Sequence, residues 1–382
     1  MMHTTPAKLE ALTGLRFFAA ASIVLFHLQG QFGMPTGAFH HWPADNAVSL
    51  FFVLSGFILT YVYPSLEPGT GTARFWVARF ARVWPAHLVS LLLVCLLLTG
   101  FPNADQLTFW ITNLLLVQAW IPLGEFFFSY NAPSWSISTE VFFYLIFPFL
   151  IANFSRTWIW KLLGSFCVAV GLIVMSELLQ LRHYDGQAGL SSTALVYIHP
   201  LARTFEFTLG MATALLWMRV RHRLTFGIFA GTLIEIGALA CIVALASPSF
   251  SPTNWVLSVT HSAAAAEWMI EGGATCLGSA FLIFVLAMGR GWISAGLGIR
   301  PIVFLGEISF SLYMLHQIGI RLCAANPNFF ASWPNWMAMS FFLAGLVASA
   351  AALWWFFEKP ARSMIVNMSL VRRRATSPQM PQ

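Results

Sequence analysis

Long uninterrupted apolar runs are the feature of this sequence that most constrains its fold. Spanning the hydrocarbon core of a bilayer takes about 20 mostly apolar residues. Ten stretches reach that length, near 15–34, 46–63, 83–101, 134–153, 159–180, 196–218, 225–247, 266–288, 301–323 and 337–357. Only 9% of the residues are charged, against roughly 25% in soluble domains. The runs are continuous rather than alternating, so we predict an all-α polytopic transmembrane bundle instead of a barrel.

A further apolar stretch, 107–121, differs from these ten. It lies between Asp105 and Pro122 and contains Asn113 and Gln118. Because it is short and partly polar, we predict an interfacial or re-entrant helix there.

The basic residues support the count of ten spans. Lys and Arg collect in cytoplasmic loops of membrane proteins. With both termini in the cytoplasm, all but four of the 20 basic residues fall in such loops. The exceptions are Arg182, in an outer loop, and three residues at or inside spans, namely Arg16, Arg203 and Arg321. If 107–121 were a span, every later loop would lie on the opposite side of the membrane, and most of the basic residues would then be outside. We therefore predict a multi-pass protein of the bacterial inner (plasma) membrane with both termini cytoplasmic.

The domain organisation follows from the same pattern. No linker separates the apolar runs, so we predict one membrane domain over 1–371 and a basic, disordered tail over 372–382. The net charge of +6 is spread between apolar runs, unlike the clustered basic face of a nucleic-acid-binding protein, so no nucleic-acid partner is expected. The five cysteines fall in five different apolar runs, and we predict neither disulfides nor a metal site from them.

Two ionisable residues in the first span are candidates for chemistry, because charge inside a bilayer is costly. Arg16 and His27 are eleven positions apart, about 16 Å and three turns along a helix, so they share a side at different depths. Histidine suits the removal of a proton from a hydroxyl, since its pKa lies near neutrality. The alternatives are a His27 that merely bonds a neighbouring helix and an Arg16 that reaches to the headgroups.

A second basic feature precedes the third span. Arg74, Arg79 and Arg82 lie before Pro85, and the last two share one helical face. Guanidinium groups bind phosphates bidentately, so these residues are candidates for binding the phosphates of a donor such as coenzyme A. The alternative is that they are ordinary topology-determining arginines in contact with anionic lipid.

Six sequence features, taken in order, resemble the acyltransferase-3 family of membrane acyltransferases. They are LEALTGLR at 9–16 with the arginine-to-histidine spacing of 16 and 27, FFVLSGF at 51–57, the Arg79, Arg82 and Pro85 pattern, PSWSISTE at 133–140, FLGEISFSLYMLH at 304–316 and FEKP at 357–360. The resemblance implies that Arg16 and His27 are essential and that acyl-CoA, bound from the cytoplasm, delivers its acyl group to an acceptor on the outer side. Where many members carry paired acidic residues, Glu140 here is followed by Val141.

Four further residues are candidates for the same site. Glu140 is predicted to be catalytic, either orienting His27 or shaping the acceptor site, with a pairing to Arg203 or Arg321 as the alternative. Ser55, Tyr313 and His316 are candidate cavity-lining residues. A helix-to-helix hydrogen bond is the alternative for His316, and Ser55 with Gly56 also suits close helix packing.

The resulting hypothesis is a membrane O-acyltransferase with no permanently bound cofactor and no metal. Acyl-CoA, expected to be acetyl-CoA, is the co-substrate, and the acceptor is a hydroxyl of a glycan, polysaccharide or related molecule. The arginines and His27 are expected to line one continuous pocket, and oligomeric state is not predicted. An acyl-histidine relay through His27 or His316 is the mechanistic alternative. A glycan or lipid transporter, or a purely structural membrane partner, would also explain ten spans.

Overall fold

The computed structural model describes residues 8–35, 46–187, 189–247 and 252–376. In these ranges the regular elements are helices, and one isolated bridge joins Leu123 to Leu190. The sixteen α-helices are α1 Glu10–His27, α2 Ala47–Val62, α3 Thr70–Val94, α4 Leu107–Leu114, α5 Gly124–Phe127, α6 Ser134–Ile151, α7 Phe154–Leu178, α8 Thr204–Val220, α9 Ile228–Ala246, α10 Thr253–Thr260, α11 Ala263–Trp268, α12 Thr275–Met288, α13 Trp292–Leu297, α14 Arg300–Ala325, α15 Asn335–Leu353 and α16 Lys359–Thr376. The predicted all-α fold class is confirmed.

Eight helical segments in the described ranges are long and apolar enough to cross a bilayer. They are α1, α3 with its extension to Thr99, α6, α7, α9, α11 joined to α12, α14, and α15 continued into α16. Helix α2 is apolar but only 16 residues long, and α8 has 17 residues. Each of the ten predicted spans overlaps one of these helices.

The stretch 107–121 is broken into short pieces. Helix α4 has eight residues, about 12 Å of rise, which is too short to span the hydrocarbon core. A single 3₁₀ turn, Gln118–Trp120, follows it. The buried Gln118 side chain donates from its amide nitrogen to the Ser134 carbonyl at 3.1 Å, so this donor is satisfied inside the protein. The predicted short helix is therefore confirmed.

Two of the long segments contain a five-residue π-helical insertion between two α-helices, and a third, α3, is extended by one over Cys95–Thr99. Such insertions often occur at functional sites. Met269–Gly273 joins α11 to α12, and Gly272 there has a φ of 134°. Trp354–Glu358 joins α15 to α16 and ends with a carboxylate that is 1% exposed. Each of these two insertions contains an acidic residue that lies in or beside the site described below, Glu271 in the first and Glu358 in the second.

Helix α16 continues through Thr376. The backbone of residues 372–376 is therefore helical, and the division into a membrane domain and a disordered tail stays a prediction. Residues 377–382 lie outside the described ranges.

Glycines bring two pairs of helices into backbone contact. A Cβ on Gly306 of α14 would lie 1.9 Å from the Thr13 carbonyl oxygen of α1, so these helices pack closely along the faces that carry the candidate site. Gly56 of α2 and Gly210 of α8 meet reciprocally, since added Cβ atoms would lie 2.0 Å from Phe207 O and 1.9 Å from Val53 O. The predicted packing role of Gly56 is confirmed.

The contact at Gly210 predicts a specific sensitivity. We expect Gly210→Val to lower the free energy of unfolding by at least about 1–3 kcal/mol, because overpacking forces the backbones apart. Gly171→Val in α7 is the matched control, since nothing lies within 4 Å of a Cβ built there. Thermal unfolding of detergent-solubilised protein, followed by tryptophan fluorescence, measures the difference. Equal midpoints for the two variants would contradict the packing assignment.

Candidate active site

Two cavities meet inside the helical bundle. The first, of about 140 Å³, we call the arginine cavity, and its polar lining is Arg16, Ser55, Arg79, Arg82, Ser136, Glu140, Tyr144, Ser309 and Tyr313. The second, of about 300 Å³, we call the histidine cavity, and its polar lining is His27, His183, Tyr184, Thr193, Tyr197, Glu271, Tyr313 and Gln317, together with Trp135. Val48 and Tyr313 line both. The single pocket expected from sequence is therefore divided in two by these side chains.

Three arginines dominate the charge of the arginine cavity. Arg16 enters from α1, and Arg79 and Arg82 lie one turn apart on α3. No carboxylate lies within 4.0 Å of Arg16 or Arg79 in the described part of the chain. Arg16 is half-buried and lines the cavity rather than reaching to the headgroups. The cavity thus has an excess of positive charge suited to an anion.

Arg82 is held by a carboxylate from the far end of the sequence. It forms a salt bridge with Glu358, whose other oxygen accepts from Ser311 Oγ at 3.0 Å. The π-helical turn before α16 directs Glu358 towards α3. Phe310 lies under the Arg82 guanidinium at 5.9 Å. Arg82 is therefore fixed in position before any ligand binds.

Arg79 is held differently. Its guanidinium lies 5.7 Å from the ring centre of Tyr63 and 5.9 Å from those of Phe75 and Tyr144. Cation–π contacts position it without neutralising it. Its Nε is buried and has no hydrogen-bond partner. A buried donor without a partner is costly, so an anionic ligand that accepts from it would gain affinity.

Glu140 belongs to the arginine cavity and not to His27. It accepts hydrogen bonds from Tyr144 Oη at 2.5 Å and from Ser55 Oγ at 3.4 Å. The side-chain bond of His27 goes instead to its own helix.

Neither predicted arginine partner reaches Glu140. Arg203 pairs with Glu206 at 3.1 Å, and Arg321 donates to the Tyr130 carbonyl at 2.6 Å. The orientation of His27 by Glu140 and its pairing with Arg203 or Arg321 are both absent from the structure, because nearer hydroxyl donors satisfy the carboxylate.

Arg74 is not brought to the site. It is exposed on α3 and lines neither cavity, since it lies five residues before Arg79 and so on a different helical face. The structure thus separates Arg74 from Arg79 and Arg82, although the sequence grouped all three as donor-binding residues.

His27 lies at the end of α1 and lines the histidine cavity. Its Nδ1 is 2.9 Å from the carbonyl oxygen of Ile23. A carbonyl only accepts, so Nδ1 carries the hydrogen and the neutral ring keeps a lone pair on Nε2. A histidine with this tautomer and an exposed face in a cavity can accept a proton from a hydroxyl.

His316 lies behind His27. The two ring centres are 5.1 Å apart, and His316 is fully buried and lines neither cavity. Its Nδ1 bonds the Tyr313 carbonyl on its own helix, and its Nε2 has no partner. Ser55 and Tyr313 therefore line a cavity, whereas His316 does not, and the side-chain bond of His316 stays within its own helix.

Tyr313 forms the wall between the two cavities. Its hydroxyl lies 2.9 Å from Ser136 Oγ and donates to the Pro133 carbonyl at 3.2 Å. These bonds tie α14 to the start of α6. Tyr313, which forms the wall together with Val48, is therefore held in place by two contacts with the start of α6.

Sequence reasoning did not single out several residues in or beside these cavities, among them Tyr144, Glu271 and Glu358. Glu358 belongs to the FEKP string at 357–360. That string showed where the residue lies in the family pattern but not which side chain it contacts. Tyr144 follows Glu140 by one turn, so helical spacing alone suggested their contact. Glu271 lies inside the predicted span 266–288, so its charge was a signal of the kind that singled out Arg16. In the described residues, no cluster of three or more His, Cys, Asp or Glu side chains is arranged to hold a metal ion.

Comparison with known proteins assigns the family. The acyltransferase-3 family model, described as an acyltransferase domain, matches residues 9–358. Acyltransferase MdmB of Streptomyces mycarofaciens is 28% identical over 367 residues, which cover 90% of this chain and 88% of that protein. Nodulation protein 10 of Rhizobium leguminosarum bv. viciae is 28% identical over 384 residues, 94% of each chain.

A third relative is longer than this chain. The putative peptidoglycan O-acetyltransferase YrhL of Bacillus subtilis is 27% identical over 342 residues, 83% of this chain and 49% of that protein. No solved structure matches the chain. Because the family model spans nearly the whole sequence and the long apolar helices suit a bilayer, the chain belongs to the acyltransferase-3 family and is a membrane-embedded O-acyltransferase.

Proposed function

We propose that this enzyme transfers an acyl group, expected to be acetyl, from acyl-CoA to a hydroxyl of a glycan or related acceptor. Acyl-CoA is a co-substrate and occupies the arginine cavity, while the acceptor occupies the histidine cavity. The observation that carries the proposal is that a cationic cavity and a cavity containing a histidine base share the wall formed by Val48 and Tyr313.

The positive charge of the arginine cavity supports its assignment as the donor site. Coenzyme A carries a pyrophosphate and a ribose phosphate, and arginine is the side chain best suited to such groups. Arg79 offers a buried donor without a partner, and Arg82 is fixed by Glu358. Both precede the apolar half of α3, on the side where the basic loops predict the cytoplasm.

The tautomer of His27 supports its assignment as the base that deprotonates the acceptor hydroxyl. With Nδ1 engaged by Ile23, Nε2 takes the proton of the acceptor hydroxyl as its oxygen attacks the thioester carbon. The carbon–sulfur bond breaks and the CoA thiolate leaves. The proton held on His27 then passes to the thiolate or to water, so the enzyme returns to its starting state.

Direct transfer in a ternary complex is favoured over a relay through His316. An acyl carrier must be reached by the donor, and His316 is fully buried and lines neither cavity. A relay through His27 differs in kinetic order, because it releases CoA before the acceptor binds. The transporter alternative has lost its support, since the family to which the chain belongs is one of acyltransferases.

The proposed location is a bacterial inner membrane with both termini in the cytoplasm. The basic loops support that orientation, and the relatives compared above come from bacteria. The name of the Bacillus subtilis relative supports a polysaccharide acceptor. Lipid is the partner for the apolar outer faces of the helices.

The role of His27 predicts a large loss of activity. We expect His27→Gln to reduce acyl transfer by about 10²–10⁴-fold, the usual contribution of a general base. Mass spectrometry of O-acyl esters on surface glycans, in cells producing equal membrane levels of each variant, measures the loss. His222→Gln, a change of an exposed histidine, should leave transfer unchanged. Wild-type transfer by His27→Gln would refute the assignment.

The donor site predicts a difference between two donors. Acetyl-CoA carries the nucleotide phosphates, whereas S-acetyl-pantetheine carries the same thioester without any phosphate. We expect Arg79→Gln to lower kcat/KM for acetyl-CoA about 10–100-fold, because a bond between charged groups is lost, and to change kcat/KM for S-acetyl-pantetheine little.

The matched control for this experiment is Arg74→Gln, since Arg74 is exposed on the same helix and lines neither cavity. It should preserve the preference for acetyl-CoA. Equal losses with both donors for Arg79→Gln would show that Arg79 does not bind the phosphates.

A further inference from the structure

A fourth arginine lies beside the arginine cavity and has no role in the site described so far. Arg362 is in α16, four residues after Glu358, and the two share one face of a continuous helical segment. Glu358 pairs with Arg82 of α3, and α16 packs against α3. The helix face that carries Arg362 is therefore directed towards the cationic part of α3.

The electrostatic neighbours of Arg362 support this placement. Arg82 and Arg79 are both close enough to act on its charge, as are Glu358 and Tyr63. The Tyr63 ring centre lies 5.7 Å from the Arg79 guanidinium, so Tyr63 is a neighbour of both arginines. Arg362 thus joins Arg79 and Arg82 in a group of three guanidinium groups, on the side where the basic loops predict the cytoplasm.

The positive charge of this group exceeds its negative charge. The carboxylate of Glu358 is already bonded to Arg82 and to Ser311. In the described part of the chain, no carboxylate lies within 4.0 Å of Arg362. Like charges that are held close together repel each other. An anion that contacts these guanidinium groups would therefore relieve repulsion as well as form new bonds.

Arg362 and Arg79 differ in their access to solvent. Arg362 is exposed and does not line the arginine cavity, whereas Arg79 lines the cavity and its Nε is buried. A ligand that contacts both would have one anionic group at the surface and another inside the cavity. Acyl-CoA has this arrangement, because its pyrophosphate lies between the ribose 3′-phosphate and the pantetheine arm that ends in the thioester.

We propose that Arg362 binds the ribose 3′-phosphate of the acyl-CoA donor, while Arg79 and Arg82 bind its pyrophosphate. The identification of this donor rests on the proposed function. A guanidinium group binds a phosphate through two parallel hydrogen bonds, so a donor without the 3′-phosphate loses a defined contact. Arg362 is therefore the residue that distinguishes coenzyme A from dephospho-CoA.

The test compares two ligands that differ by one phosphate. Purified enzyme in phosphatidylcholine nanodiscs is titrated with CoA or with 3′-dephospho-CoA, and isothermal titration calorimetry gives each Kd. We expect the wild type to bind CoA about three- to tenfold more tightly, a modest ratio because solvent screens an exposed ion pair. Arg362→Gln should raise the Kd for CoA to that for 3′-dephospho-CoA and leave the latter unchanged, which also shows that the variant is folded.

Two further variants serve as controls. Lys359→Gln removes an exposed cation from the same helix, where it lies 5.2 Å and 5.0 Å from the ring centres of Trp354 and Trp355. It should keep the full preference for CoA. Arg79→Gln should weaken the binding of both ligands, because both contain the pyrophosphate.

The outcomes separate this inference from the proposed function. Equal binding of the two ligands by the wild type is the result expected if Arg362 serves only an anionic lipid headgroup, and it would overturn the inference while leaving the donor site intact. A preference that survives Arg362→Gln would overturn it as well. Binding of neither ligand would overturn the inference together with the proposed donor.

Discussion

The cost of holding charge inside lipid organises this molecule. Each buried ionisable group needs a partner or a water-filled cavity, and breaking a buried pair costs about 3–5 kcal/mol. Arg82 is matched by Glu358, and Arg203 by Glu206. Glu140 is satisfied by hydroxyl groups. After these pairings, Arg16 and Arg79 remain without a carboxylate in the described ranges, and both line the same cavity.

This distribution gives the two cavities different chemistry. The arginine cavity keeps excess positive charge, whereas the histidine cavity is lined by His27 and by aromatic rings. Glycine contacts between α1 and α14 bring His27 and Tyr313 together. If the thioester lies on one side of Tyr313 and the acceptor hydroxyl on the other, this side chain lies between the two reacting groups.

The fold was predictable from sequence because the bilayer fixes the length of each span. Arg16, His27, Arg79, Arg82 and Glu140 were also identified, since charged residues within or beside apolar runs stand out. Their partners were not predictable. Arg82 and Glu358 are 276 positions apart, and no local spacing encodes such a contact. Glu140 was assigned to the wrong neighbours, because a sequence shows the depth of a residue but not which helix lies beside it.

The position of Glu271 illustrates the same limit. It lies in a π-helical insertion whose Gly272 has a φ of 134°, and it lines the histidine cavity. The family strings do not extend to this segment, although the predicted span 266–288 includes it. Its place at the cavity therefore depends on local backbone geometry that only the structure reveals.

The central claim is that a donor in the arginine cavity presents its acyl group to His27 past Tyr313. Cryo-electron microscopy of the enzyme with an acetyl-CoA analogue in which a methylene group replaces the thioester sulfur tests this claim most directly. The account predicts phosphate density at Arg79 and Arg82 and a carbonyl carbon that opens onto the histidine cavity, leaving about 3–3.5 Å for an attacking hydroxyl oxygen. An analogue bound elsewhere, or a carbonyl sealed from His27 by Tyr313, would contradict it.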